Sequence, residues 1–191
     1  MPAALLSAFA VGCSSGGTAG KADPKPSASA EAVVDAASQE PSETPSSSTP
    51  APKLGVGESG KYVAVDSSDE SVKTKMRVTV KAVKYVQPAD IDTSNEPEKG
   101  QFVVLTLTVK NVGSKPGGFA PYGAMMWQDA KTAAQDATTL ESTGGQDVDA
   151  TYQPGQSVTG DVVLDVVRKG GTVSYFDVPD GPAFTVLLPK S

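Results

Sequence analysis

The sequence predicts an antiparallel β-sandwich behind a disordered N-terminal tether. Short runs after residue 54 alternate apolar and polar residues, as strands with one buried face do. Clusters rich in Gly and Pro separate these runs and are typical of turns. The segment before them consists mostly of Ser, Thr, Pro, Ala and Gly, a composition that cannot form a core. Together these observations favour one all-β domain at the end of a polar segment.

The N-terminus contains an apolar run, residues 3–11, followed by the small residue Gly12 and the single cysteine, Cys13. This arrangement resembles a bacterial lipoprotein signal, or lipobox. In such signals the thiol takes up diacylglycerol, and a small preceding residue leaves the bond before the cysteine open to cleavage. The resemblance implies a signal peptide over residues 1–12, lipidation of Cys13 and anchoring on the extracytoplasmic face of the cell membrane. The run itself is too short to span a bilayer, which takes about 20 residues.

The next segment, residues 13–53, carries the lipidated cysteine and the tether. From residue 14 onward it has no aromatic residue, Leu or Ile. It therefore cannot bury enough apolar surface to offset the entropy lost on ordering. We expect it to hold the following domain away from the membrane, and O-glycosylation of its Ser and Thr residues is an open alternative.

Residues 54–191 are long enough to bury a core without a disulfide. The clearest strand is 101–112, where one face carries only apolar residues: Val103, Leu105, Leu107 and Val109. In residues 158–167, Val162, Leu164 and Val166 point inward, and Asp161, Val163 and Asp165 point outward. Further strands are predicted at 61–66, 75–80, 124–128, 148–153, 172–177 and 183–188, with a bulge near Ala82. The motif at 55–60 matches GxGxxG, but it precedes a strand and is interpreted as a flexible hinge into the domain.

Three runs within this part stand out: GQFVVLTLTVKNVGSKP, YQPGQSVTGDVVLDV and FDVPDGPAFTVLLP. Together they resemble a family of secreted bacterial domains of unknown function. The resemblance covers most of residues 54–191 and implies a telokin-like, that is immunoglobulin-like, sandwich. Its architecture is similar to that of mycobacterial immunoprotective extracellular antigens. The resemblance also implies that residues 111–113 turn the chain after the core strand, and it implies no catalytic residues.

Composition excludes several chemistries. The chain has no His and one Cys, so it lacks Ser-His-Asp and Cys-His catalysis, a CxxC redox pair and imidazole metal sites. Its formal net charge of -6 argues against a nucleic-acid-coating protein. Asp147 and Asp149 leave open a glycosidase-like carboxylate pair. We nevertheless expect no enzymatic activity and no cofactor.

A basic stripe is the first candidate interaction site. Four cations share one parity on the strand from residue 73, and therefore one face: Lys73, Lys75, Arg77 and Lys81. A polyanionic wall polymer or lipid headgroups would suit this stripe. Lysines also protect sheet edges against aggregation, and the outward Asp161 and Asp165 could lie opposite them. Both interpretations remain open at this point.

An acidic loop is the second candidate site. Its carboxylates alternate along the chain, a spacing that suits calcium: Asp90, Asp92, Glu96 and Glu98. The loop is not an EF-hand, because Asn95 stands at the glycine position and Gln101 at the position of the bidentate Glu. The sequence favours a solvated loop, with weak calcium binding as the alternative.

The single tryptophan is Trp127, which follows Met125 and Met126. A lone Trp in a sandwich usually fills the core, so core packing is preferred over a copper or sugar site. Phe119 and Tyr122 could form an exposed aromatic rim.

These patterns predict a lipid-anchored extracytoplasmic protein that displays a non-catalytic immunoglobulin-like domain for protein or cell-envelope contact. The alternative is a lipoprotein that binds a solute or calcium through residues 90–98. The two hypotheses predict different results: an added ion or small ligand should raise the melting temperature by linkage only under the second.

Overall fold

Two main β-sheets form the framework of the described chain, residues 50–66, 68–177 and 181–191 of a computed structural model. One sheet has the strand order β2-β3-β4-β9 and the other β1-β11-β10-β6-β7, while β5 and β8 form a separate pair. A short 3₁₀ helix, Pro88–Ile91, follows β3. The strands are β1 (Lys53–Leu54), β2 (Ser59–Val65), β3 (Lys73–Val86), β4 (Gln101–Asn111), β5 (Gly117–Phe119), β6 (Met125–Gln128), β7 (Gln135–Asp136), β8 (Ala150–Tyr152), β9 (Ser157–Val166), β10 (Thr172–Tyr175) and β11 (Phe184–Leu187).

The predicted immunoglobulin-like antiparallel β-sandwich is confirmed, and each predicted strand corresponds to a strand of the structure. Strands β1, β5 and β7 have only two or three residues and were not predicted, because so short a run shows no alternation. One pairing departs from the antiparallel rule: β1 runs parallel to β11, in register from Lys53 opposite Thr185. The bulge is present as a register shift between Val80 and Ala82.

The start of the domain differs in detail from the expectation. Strand β1 includes Lys53, which the sequence analysis places in the tether. The segment 55–60 is bonded to β3 and is not a free hinge: the Gly57 N–H donates to the Val80 carbonyl at 2.7 Å. The Val80 N–H in turn donates to the Glu58 carbonyl at 3.0 Å. The signal peptide, Cys13 and the tether up to residue 49 lie outside the described residues.

The core forms between the two sheets from the alternating apolar residues of each strand. The inward residues of β4, predicted from sequence, are fully buried. Four aromatic rings from both sheets and from β5 pack together, with centroids 4.7–6.3 Å apart: Tyr62, Phe119, Tyr175 and Phe184. Burial raises the pKa of the Tyr62 hydroxyl, and the neighbouring Tyr175 and Asp177 add to this effect.

A smaller apolar cluster covers one end of the outer face of the β2-β3-β4-β9 sheet. It consists of Ile91 from the 3₁₀ helix with Phe102, Val104 and Val163. Because this cluster lies over the outward side of β9, the outward Asp165 is also buried, with 4% exposure. The remainder of the outer face stays open to solvent.

Asn111 is fully buried at the end of β4 and holds the turn that the family resemblance implies. Its Nδ2 donates to the carbonyls of Lys115 at 2.8 Å and Tyr152 at 2.7 Å. Its Oδ1 accepts the Gly113 N–H at 2.8 Å. One side chain therefore satisfies three backbone groups, and the hydrogen bond to the Tyr152 carbonyl is fully buried.

We expect Asn111→Ala to lower the free energy of unfolding by about 3 kcal/mol, because it leaves those groups without partners. Urea unfolding followed by far-UV circular dichroism measures the change. Thr159→Ala on the exposed side of β9 is the control and should stay within about 0.5 kcal/mol of the native chain. Equal urea midpoints for Asn111→Ala and the native chain would contradict this role.

Candidate functional site

The candidate site is the open part of the outer face of the β2-β3-β4-β9 sheet. It carries six exposed cations from three adjacent strands, which we call the basic face: Lys61, Lys73, Lys75, Arg77, Lys81 and Lys110. Four of these are the residues predicted from sequence. Lys61 and Lys110 are additions, because strand register alone brings them beside Arg77.

The centre of the basic face is a row of three cations. Arg77 on β3 lies opposite Lys61 on β2 and opposite Lys110 on β4. Adjacent strands are about 5 Å apart, so the row spans about 10 Å. Along β3, Lys75 and Arg77 are two residues apart, or about 7 Å. The backbone positions that carry these cations therefore form a two-dimensional array with spacings of about 5–7 Å.

Hydroxyl groups border this array on the side of the bulge. In the row next to Arg77, Ser59 and Thr79 share a hydrogen bond of 2.7 Å between their hydroxyl oxygens, and so do Thr108 and Thr159. Hydroxyls donate as well as accept hydrogen bonds, so this row can contact an anion without adding negative charge.

Asp161 and Asp165, the residues expected to lie opposite the basic stripe, are not near it. Asp161 lies opposite Thr106 on β4 and accepts hydrogen bonds from the hydroxyls of Thr106 and Thr143, at 2.6 and 3.0 Å. Asp165 accepts the Lys99 N–H at 2.9 Å. Strand β4 separates both from β3, so the expectation that they lie opposite the stripe is wrong. Among the described residues, no cation of the basic face forms an ion pair within 4.0 Å.

Edge protection also fails to account for the stripe. Strand β3 is bonded to β2 over residues 73–79 and to β4 on its other side, so Lys75 and Arg77 are interior, whereas Lys81 follows the end of the β2 pairing. Like charges directly opposite one another in a sheet are destabilising. The Lys61-Arg77-Lys110 row therefore costs stability, and two of its three cations lie on the interior strands β3 and β4, which favours a role in binding.

The residues of the acidic loop do not converge. The Asp90 carboxylate accepts the Gln87 N–H at 2.8 Å and so caps the 3₁₀ helix. Asp92 ends that helix in a left-handed conformation, with φ of 53°. Glu96 and Glu98 lie further along, in a cleft shared with Glu141. Across the described part of the chain, no three Asp, Glu or Cys side chains are grouped closely enough to hold a metal ion.

The aromatic residues separate into buried and exposed members. Trp127 is 1% exposed, and its Nε1–H donates to the Gly170 carbonyl at 2.9 Å. Met125 and Phe119 are also buried, so the structure places this group in the core. Only Tyr122 is exposed, at 63%, and no aromatic rim forms with Phe119.

The acidic pair at residues 147 and 149 belongs to a local turn. The Asp147 carboxylate accepts the Asp149 N–H at 2.8 Å. Partial burial, and then the charge of Asp147, raise the pKa of the Asp149 carboxyl. Gly12 and Cys13, the predicted cleavage and lipidation residues, lie outside the described part of the chain. Within that part, no helix is long and apolar enough to cross a membrane.

The fold and the site define a class: a two-sheet immunoglobulin-like sandwich with a basic outer face. The chain belongs to the family described as Domain of unknown function (DUF4352), whose model matches residues 67–179. This match confirms the resemblance to a family of domains of unknown function. Comparison with curated proteins finds no significant match.

Two of the solved structures to which this chain is similar come from Mycobacterium tuberculosis and Bacillus subtilis. The secreted protein MPT63 of Mycobacterium tuberculosis is 16% identical, with a TM-score of 0.50 over 73% of this chain and 99% of that one. The yjhA protein of Bacillus subtilis is 18% identical, with a TM-score of 0.48 over 70% of this chain and 98% of that one. At these identities the similarity to MPT63 supports the fold alone.

Proposed function

We propose that this chain is a lipid-anchored extracytoplasmic protein whose sandwich domain binds an anionic polymer of the cell envelope, without catalysis. The observation that carries the proposal is the Lys61-Arg77-Lys110 row on an exposed sheet face. Support for the extracytoplasmic location comes from the lipobox-like residues before Cys13. MPT63, a protein with a similar fold, is a secreted protein.

A polymer suits the basic face better than a small anion. The six cations are spread over three strands and do not surround one point. Repeated phosphate groups along a chain can contact several of them together, and each contact releases counterions. The chain as a whole is negatively charged, with a net charge of -6, and therefore repels polyanions. Such binding is thus restricted to this face.

The test is binding of long-chain polyphosphate to the full chain in a non-ionic detergent, measured by calorimetry over a range of salt concentrations. We expect Lys61→Glu, Arg77→Glu and Lys110→Glu together to weaken binding about a hundredfold or more at low salt. The slope of log affinity against log salt should fall by about three. The fold should persist, because a row of three like charges repels itself equally with either sign.

The matched control reverses the exposed Lys131, Lys169 and Lys190, which line a different cavity with Arg168. It changes the net charge equally and should bind polyphosphate nearly as well as the native chain. Equal losses in the two triple variants would overturn the assignment to the basic face. Tighter binding to vesicles of anionic lipid than to polyphosphate would overturn the proposal of a polymer ligand and indicate a membrane surface as the ligand.

A further inference from the structure

A cleft of about 540 Å³ lies beside the covered end of the β2-β3-β4-β9 sheet, away from the Lys61-Arg77-Lys110 row. Residues 95–99 form one wall and residues 138–141 the other, with Phe102 and Asp165 between them. A hydrogen bond of 2.7 Å from Asn95 Nδ2 to Glu141 Oε1 joins the two walls. The second wall is attached to β9, because the Asp165 N–H donates to the Ala137 carbonyl at 2.8 Å.

The charge of this cleft is predominantly negative. Its acidic lining residues are Glu96, Glu98, Glu141 and Asp165, and its one cation is Lys99. Two exposed side chains with apolar surface complete the lining: Tyr122 at 63% exposure and Leu140 at 85%. An aromatic ring attracts a cation through its face, and an aliphatic side chain packs against methylene groups.

Asp165 provides a second, independent indication of a ligand. It is 96% buried, since only 4% of its surface is exposed. Its Oδ2 accepts the Lys99 N–H at 2.9 Å, whereas its Oδ1 has no hydrogen-bond partner among the described residues. A buried carboxylate oxygen without a donor is costly, so a ligand that brings a donor to this point is favoured.

We propose that this cleft binds a small aliphatic polyamine, with one ammonium group beside the Asp165 carboxylate and another contacting the wall carboxylates. An ammonium has three donors and no acceptor, which matches a lining of carboxylate oxygens. The volume suits an organic molecule better than a bare ion. The carboxylates of the described chain are also too dispersed to form a metal site. The methylene stem lies against Tyr122 and Leu140.

The probe is spermidine, titrated into the full chain in a non-ionic detergent and followed by calorimetry and by the melting temperature. We expect saturable one-site binding and a rise in melting temperature by linkage. Butylamine, with a single ammonium, should bind at least tenfold more weakly. Calcium at equal concentration should shift the melting temperature less than spermidine.

Two variants test the residues. Asp165→Asn replaces one acceptor oxygen with a donor and should weaken spermidine binding about tenfold or more. The double variant Glu96→Gln, Glu98→Gln changes two exposed side chains, so it tests the site even where the buried Asp165→Asn variant unfolds. The matched control, Glu58→Gln with Glu70→Gln, removes the same charge elsewhere and should bind as the native chain does.

Equal spermidine affinity in the wall variant and its control would overturn the proposal, as would a larger thermal shift with calcium than with spermidine. The Lys61, Arg77 and Lys110 reversals should leave spermidine binding within about threefold of native, after allowance for net charge. The proposals for the two sites can therefore be confirmed or contradicted independently.

Discussion

Replacement of Trp127 by Ala is expected to lower the free energy of unfolding by about 3–5 kcal/mol, the largest effect of any single substitution considered. The indole is 1% exposed on β6 and lies opposite Val173 on β10 and Gln135 on β7. Its removal would leave a cavity in the core and the Gly170 carbonyl without its donor. Because domains are stable by only about 5–15 kcal/mol, this loss would remove much of the total.

Far-UV circular dichroism during urea unfolding measures this change, since the variant has no tryptophan to report fluorescence. Trp127→Phe is the informative companion: it keeps most of the apolar volume but loses the N–H donor, so its cost should be smaller. Met126→Ala, at a half-buried position on the same strand, should cost less than Trp127→Ala. Unchanged stability of Trp127→Ala would contradict core packing, and Trp127 would then again be a candidate ligand-binding residue.

Substitution of Cys13 by Ala is expected to abolish recovery of a lipid-modified chain from the membrane fraction. The sequence before Cys13 resembles a lipoprotein signal, in which the thiol is the one nucleophile for diacylglycerol. A single acyl chain holds a protein only marginally, whereas two or more anchor it stably. The native chain should therefore begin at Cys13, carry a diacylglyceryl mass increase and sediment with membranes.

Intact-mass measurement on the membrane and soluble fractions checks both properties. Gly12→Trp separates the two steps, because a bulky residue should block cleavage while leaving the thiol free to react. It should give an uncleaved chain that still carries diacylglycerol. An unmodified native chain that begins at Met1 would contradict the anchor, and it would leave both proposed binding sites unaffected.

Much of the sandwich could be predicted from the chain because strand alternation is a local signal. Which side chains of β4 and β9 point into the core was predicted from the alternation of every second residue along a strand. The same parity placed Lys73, Lys75 and Arg77 on one exposed face. Position 81 follows them in parity, but the register shift at the bulge leaves Lys81 without a paired residue.

Neighbours across strands could not be predicted, because they depend on which strands pair and in what register. Lys61 and Lys110 are 16 and 33 positions from Arg77 in the sequence, yet both lie opposite it. The same limit explains the error about Asp161 and Asp165. Their outward direction was correct, but the position of β9 at the far side of β4 keeps them away from β3.

The sequence by itself determined the all-β class, the strands long enough to alternate and the cations on one side of β3. These depend on side-chain order and backbone preference over a few residues. Only the tertiary structure decided that Arg77 lies between two further cations, and that Asp165 is buried beside Glu96, Glu98 and Glu141. Such groupings arise when strands distant in the chain pair and pack, and the burial that follows is a property of the whole fold.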